Sequence, residues 1–365
     1  MNCWVLWNII TSYSTKPAPP TAVKIRRFDL SFRTAYAQAK ALARAQAAVP
    51  LASAGSIQVE KRNGSSFVYR YRYTAGKRVT EYLGPEGAAD TVQKVDSARA
   101  EIRDSETIAR YCRDLRKVGF YSADNSTLVT VAALFNAGIF GKGGLLVGTH
   151  AFGAILNELG VLAMPFAMTE DVDVARAELI QIAALPRGGL LKLLKETGLP
   201  FHEVPKLKRG EPSTSFKVRG RNLMVDLLVP ARGESYGTVP VPELGAHATG
   251  LPHFAYLLKA PMDSVLLGRD RIVPIVVPHP GRYCVHKLAV YSLRSGKDNP
   301  KREKDVHQAA LLAAAMAEDQ DYMFAEAMAA AAKPLRAMAK AGAQRALKLL
   351  EADHPEAAEQ LAVLA

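Results

Sequence analysis

Two aspartates one residue apart, Asp171 and Asp173, stand in the segment Thr169-Glu170-Asp171-Val172-Asp173. Residues two apart in a β-strand point to one face, so both carboxylates project together while Val172 points the other way. Two carboxylates on one face repel each other unless a cation lies between them. Asp226, within Leu223-Met224-Val225-Asp226-Leu227-Leu228-Val229, is flanked by apolar residues and reads as a strand residue beside that pair. Three hard oxygen donors on neighbouring strands suit Mg²⁺, which keeps several waters and takes further ligands from phosphates. The chemistry such a set serves is in-line displacement at phosphorus. Glu170 precedes the pair and faces away from it.

These carboxylates need elements to hold them. An apolar run, Gly144-Leu145-Leu146-Val147-Gly148-Thr149-His150, reads as a buried strand turning at glycine into a helix over 151–160. A helix N-terminus offers free N–H groups and partial positive charge to phosphate. Gly148 and Thr149 are therefore candidates for holding the β,γ-phosphates of a nucleoside triphosphate. His150 follows, where a structural role is the commoner reading of a lone histidine. The nearby Gly141-Lys142-Gly143-Gly144 lacks the Gly-Lys-Ser/Thr ending of a Walker loop. Strands near 201–205, 213–219 and 223–229 complete a mixed sheet. Farther on, Lys287, Tyr291 and Arg294 share a helix face by spacing, and Lys301, Lys304 and Asp305 follow. This basic region is either a solvated amphipathic face or, through Lys287, a point charge set on phosphate.

At these residues the chain resembles the nucleotidyltransferase superfamily that includes DNA polymerase beta, aminoglycoside nucleotidyltransferases and toxin-type nucleotidyltransferases. The shared pattern is a strand ending in Gly-Gly or Gly-Ser, a helix, Asp-x-Asp on the next strand, and a lone Asp beyond. Here Gly148-Thr149, Asp171/Asp173 and Asp226 match it. More narrowly, Leu146 to Ala151 together with Thr169 to Asp173 look like a bacterial nucleotidyltransferase-fold family. The resemblance covers about residues 125–310. Thr149 departs from the usual Ser or Gly, and the spacing from Gly148 to Asp171 is longer than in minimal enzymes. The resemblance implies an α+β fold with a polymerase-beta-like mixed sheet and flanking helices. It further implies Asp171, Asp173 and Asp226 as catalytic metal ligands for Mg²⁺ and Lys287 as a triphosphate contact. The reaction implied takes an NTP donor and a hydroxyl acceptor and releases pyrophosphate. The alternative is a non-catalytic nucleotide- or nucleic-acid-binding module on the same fold.

The 365 residues are 49% hydrophobic, enough for a sizeable core, and carry a formal net charge of +12. That balance favours polyanionic partners, so RNA is preferred as acceptor over a small molecule, with a protein hydroxyl the other option. Three scattered cysteines, Cys3, Cys112 and Cys284, form no metal-ligand spacing and suggest a reducing, cytoplasmic setting. No apolar run is long enough to span a membrane, so no membrane partner is expected.

Residues 1–27, rich in proline and then basic, read as a disordered tail. Residues 28–120 hold an Ala-rich helix over 30–49, a basic β-hairpin region over 57–84 and a charged connector helix over 88–117. Asn63-Gly64 and Ala75-Gly76 mark its turns. Between them Phe67, Tyr69, Tyr71 and Tyr73 alternate with Val68, Arg70 and Arg72. One reading packs the aromatic face and leaves the arginines in water. The other is a nucleic-acid platform in which Arg70 and Arg72 meet phosphates and Tyr71 stacks on bases. Residues 121–283 are expected to form the catalytic domain and 284–365 a separate helical domain.

Overall fold

The computed structural model describes residues 23–74, 76–163, 171–176, 189–206, 210–231, 233, 236–294 and 300–365, with 163, 171–176 and 300 described through their backbone. The described chain opens with β1 (Ile25–Arg27) and α1 (Leu30–Arg44). The tail expected over 1–27 is thus ordered from Val23 onward. Val23 is fully buried and its N–H donates to the Leu349 carbonyl, and β1 pairs antiparallel with Val161–Ala163. Residues 1–22 lie outside the described residues.

The Asn63-Gly64 turn signal of the basic region is used, and the second, Ala75-Gly76, falls between two paired strands with Ala75 outside the described residues. β2 (Ser56–Arg62), β3 (Ser65–Thr74) and β4 (Lys77–Pro85) form an antiparallel three-stranded sheet. Asn63 and Gly64 both have positive φ, the conformation of a two-residue turn whose twist suits the flanking strands. The long α2 (Ala89–Lys117) packs on this sheet with one stretch and on α1 with Ile108, Cys112 and Leu115.

Asp124 caps α3 (Asn125–Asn136), its carboxylate accepting from the N–H groups of Ser126 and Thr127. Every side chain from Thr127 to Leu134 is buried, which makes α3 an interior helix. The wholly buried β5 (Gly144–Val147) runs straight into α4 (Gly148–Glu158). Then come β6 (Val161–Ala163), β7 (Asp171–Arg176), α5 (Gly189–Lys195), β8 (Phe201–Glu203), β9 (Ser215–Val218) and β10 (Met224–Pro230). Next are β11 (Gly237–Val241), β12 (Ala246–Leu251), α6 (Phe254–Leu258), β13 (Met262–Leu267) and β14 (Ile272–Val277). β11 and β14 each contain a proline, and each pairs along one edge, where a missing N–H is tolerated.

The chain ends in α7 (Pro280–Leu293), α8 (Pro300–Ala317), α9 (Asp321–Ala329), α10 (Lys333–Leu350) and α11 (Pro355–Ala362). Pro334 sits in the first turn of α10, where its missing N–H costs no helix bond. The domain boundary expected at 283/284 falls inside α7. One buried cluster joins Val225 and Leu227 of β10 to Val285 of α7, Leu312 of α8 and Leu349 of α10. The C-terminal helices therefore share the core of the sheet.

That sheet has the order β11-β12-β10-β7-β5, with β9 also pairing β10 and carrying β8. β10 lies parallel to β7 and β12, whereas β5 lies antiparallel to β7. Along β10, Val225, Leu227 and Val229 are buried, while Met224, Asp226, Leu228 and Pro230 on the other face are partly exposed. The fold is mixed α+β.

Candidate functional site

Backbone register assembles the acidic positions. β7 pairs with β10 so that Asp171 lies opposite Met224 and Asp173 opposite Asp226. On its other side Asp173 pairs with Val147, the last residue of β5. Val147, Asp173 and Asp226 thus stand in line across three adjacent strands, each step about 4.8 Å. Strand alternation places positions 171, 173 and 226 on one face of the sheet, opposite the buried Val225 and Leu227.

Asp226 is short of partners. Its Oδ1 is buried and accepts no hydrogen bond among the described residues. Burial raises its pKa, while the Ser215 hydroxyl and the charges of Lys206 and Lys301 pull the other way. A buried carboxylate oxygen without a donor is the environment a hard cation satisfies. Among the described side chains no group of three His, Cys, Asp or Glu gathers as a metal site; those of Asp171 and Asp173 lie outside that set.

The phosphate-type turn adjoins this line. Gly148 has φ +71, a left-handed conformation that a side chain would strain, and it opens α4 immediately after Val147. The first N–H groups of α4 lack intrahelical partners. Lys304, from the second turn of α8, donates to Thr149 Oγ1 at 3.0 Å. The Tyr283 hydroxyl donates to the Gly148 carbonyl at 2.9 Å. One stripe of α4 grips Tyr121. His150 Nδ1 meets its hydroxyl at 2.6 Å, and Asn157 bonds both its backbone N–H and its carbonyl. A Cβ on Gly153 would lie 2.2 Å from the Tyr121 ring. His150 is buried, and burial pushes its pKa down to about 4. It therefore positions α4 as a neutral residue.

Lys287 is engaged differently from a free phosphate ligand. Its ammonium donates to Asp305 Oδ1 at 2.6 Å and lies 5.3 Å from the Tyr283 ring centre. Arg294 Nε takes Asp305 Oδ2 at 2.5 Å. Asp305 is 2% exposed. Burial disfavours each charge, yet the pairing outweighs it: the Lys287 pKa lies above and the Asp305 pKa below the ordinary range. Lys304, adjacent in sequence to Asp305, is the lysine that reaches Thr149. The Lys304-Asp305 pair was the available signal, but its two side chains take different partners, Thr149 for Lys304 and Lys287 with Arg294 for Asp305.

The N-terminal sheet matches neither expectation for its faces outright, since Arg70 and Tyr71 are both buried while Tyr73 is exposed. Arg70 is buried, with its guanidinium donating to Glu101 of α2 at 2.6 Å and twice to the Ala54 carbonyl. It is a packing residue and presents no free charge to phosphate. Arg72 pairs with Glu81 of β4 at 2.9 Å. The Tyr71 hydroxyl donates to Glu60, and the Arg78 guanidinium covers its ring at 5.0 Å. In this structure Arg70 and Arg72 are thus each held by a carboxylate, and Tyr71 lies between Glu60 and Arg78.

No helix of the described residues is long and apolar enough to cross a membrane. Comparison with curated proteins found no match, and comparison with solved structures found none either. A family model described as nucleotidyltransferase matches residues 125–333, more than half of the chain, from α3 through the acidic strands and Asp305 to the start of α10. The strand line of Val147, Asp173 and Asp226 and the turn at Gly148 lie inside that match, and this chain belongs to that nucleotidyltransferase family.

Proposed function

We propose that this protein transfers a nucleoside monophosphate from an NTP to a hydroxyl acceptor in a Mg²⁺-dependent reaction that releases pyrophosphate, on a polymerase-beta-like sheet. RNA is the favoured acceptor class, because the chain carries +12. The observation that carries the reading is the register placing Asp226 beside Asp173, with the Gly148 turn one strand away. Asp171, Asp173 and Asp226 would hold Mg²⁺, and the orphaned Oδ1 of Asp226 fits that role. The chemistry a bound Mg²⁺ supplies is neutralisation of the charge on the phosphoryl oxygens.

The remaining work falls to the chain's own groups. The N–H groups opening α4 bind phosphate oxygens. Lys304 fixes the Thr149 hydroxyl at that turn and adds positive charge. Lys287 and Arg294 share one carboxylate, so their cluster with Asp305 keeps a net positive charge facing the phosphates. Holding the triphosphate at these fixed donors lowers the entropy cost of reaching the transition state.

Incubating the protein with each labelled NTP, Mg²⁺ and total cellular RNA or protein tests the reading. Label should pass to an acceptor, and Asp173→Ala should lower transfer at least about a hundredfold while the fold stays intact. NTP binding that leaves every acceptor unlabelled would instead identify a non-catalytic binding module.

A further inference from the structure

One face of the N-terminal sheet carries a row of aromatic residues in which Tyr73 and Tyr82 are exposed, Phe67 and Tyr69 are half-buried and Tyr71 is buried. Val68 and Arg70 point to the face that α2 covers, so Phe67, Tyr69, Tyr71 and Tyr73 occupy the opposite face by alternation. Strand pairing adds Tyr82 beside Tyr69. The rings are contiguous: Tyr69 to Tyr82 is 5.3 Å, Phe67 to Tyr82 is 6.2 Å and Tyr69 to Tyr71 is 6.4 Å between centres. Tyr73 and Tyr82 are 54% and 53% exposed. From Phe67 to Tyr73 the row runs about 20 Å along β3.

Connected apolar surface of this kind marks a contact site, and the charge around it selects the partner. The Arg62 guanidinium lies 5.4 Å from the Tyr69 ring centre, and Arg78 stands over Tyr71. Of the basic residues between Ser56 and Pro85, Arg70 is buried toward α2 and Arg72 is paired with Glu81, which leaves Lys61, Arg62, Lys77 and Arg78 exposed. Glu60, on the aromatic face, is already bonded by Arg62 and Tyr71. Tyr82 also borders a cleft of about 440 Å³ lined by Pro85, Thr91 and Lys94 at the start of α2. Exposed rings at Tyr73 and Tyr82, with guanidinium groups over the neighbouring Tyr69 and Tyr71, match unpaired bases joined by phosphates. A duplex hides its base faces and cannot use them.

We infer that the aromatic face of β2–β4 binds single-stranded nucleic acid, with bases stacking on Tyr69, Tyr73 and Tyr82 and phosphates meeting Arg62 and Arg78. Its use as the acceptor surface rests on the transferase reading; strand binding itself does not.

Fluorescence anisotropy of the full-length protein with labelled oligouridylate, oligothymidylate and a duplex of equal length tests this, alongside NTP binding. Both single strands should bind more tightly than the duplex. Tyr73→Ala and Tyr82→Ala should each weaken single-strand binding on the order of 5- to 100-fold at nearly constant salt slope, and Tyr82→Phe should retain affinity. Arg62→Gln with Arg78→Gln should flatten the salt slope instead. NTP binding and thermal midpoint should stay at wild-type values, because Tyr73 and Tyr82 are exposed and their sheet is separate from that of the acidic strands. Wild-type affinity in the Tyr73→Ala/Tyr82→Ala double variant, or duplex binding as tight as single-strand binding, would overturn the inference. Strand binding with these properties in a protein that labels no acceptor would sink the transferase reading alone.

Discussion

The two sheets use the same alternation to opposite ends. Along β10 the apolar residues Val225, Leu227 and Val229 are buried and Asp226 lies on the partly open face. Along β3 the buried positions include Arg70, while Tyr73 is half exposed. Alternation shows that the faces of a strand differ; the element laid against the sheet decides which face is covered. In the core sheet the covering residues are apolar, so apolar strand residues go in. At β3 the cover is α2, which brings Glu101 and so gives a buried guanidinium a partner. A tyrosine face tolerates water through its hydroxyls, and cations stand on its rings.

This contrast can be broken by substitution. The largest effect is expected at the buried ion cluster of the core. Asp305→Ala leaves the Lys287 and Arg294 charges without a partner and should cost about 3–5 kcal/mol in urea unfolding. A loss below about 1 kcal/mol would mean that the cluster is solvated.

Acid should next separate the two regions. Burial pushes His150 down to about 4, with Asp124 opposing and Lys304 assisting, and burial likewise pushes His307 to about 4. Both folded values lie below the ordinary value near 6.5, so the unfolded chain takes up protons first. The stability they contribute is complete above pH of about 6.5 and is lost as pH falls toward 4, up to about 3 kcal/mol from His150. Residues 56–85 contain no histidine. Amide exchange from pH 7 to 4.5 should therefore accelerate in α4 and α8 before it does in β2–β4, and a uniform response would contradict the assignment.

The smaller effects lie within β3. Arg70→Met leaves the Ala54 carbonyl without its donor and should cost about 1–3 kcal/mol. Arg72→Gln, which breaks a half-exposed pair with Glu81, should cost less than about 1 kcal/mol. Equal losses in thermal melts would show that both arginines are buried alike.

Local chemistry in the sequence determined a good deal here. Asp171 and Asp173, two apart, and Asp226 among apolar neighbours read as strand residues, and β7 and β10 are strands. Glycine at 148 allowed the left-handed turn from β5 into α4. Asn63-Gly64 set the β2–β3 turn, and Pro334 the start of α10. These depend on backbone preferences of a few adjacent residues. Tertiary structure alone decided that Lys304, 155 residues away, reaches Thr149, that Lys287 is held by Asp305, and that Arg70 goes inside while Tyr73 and Tyr82 stay exposed. Such choices depend on which distant element supplies a counter-charge or a covering surface, and residue spacing within one strand or helix carries no record of that partner.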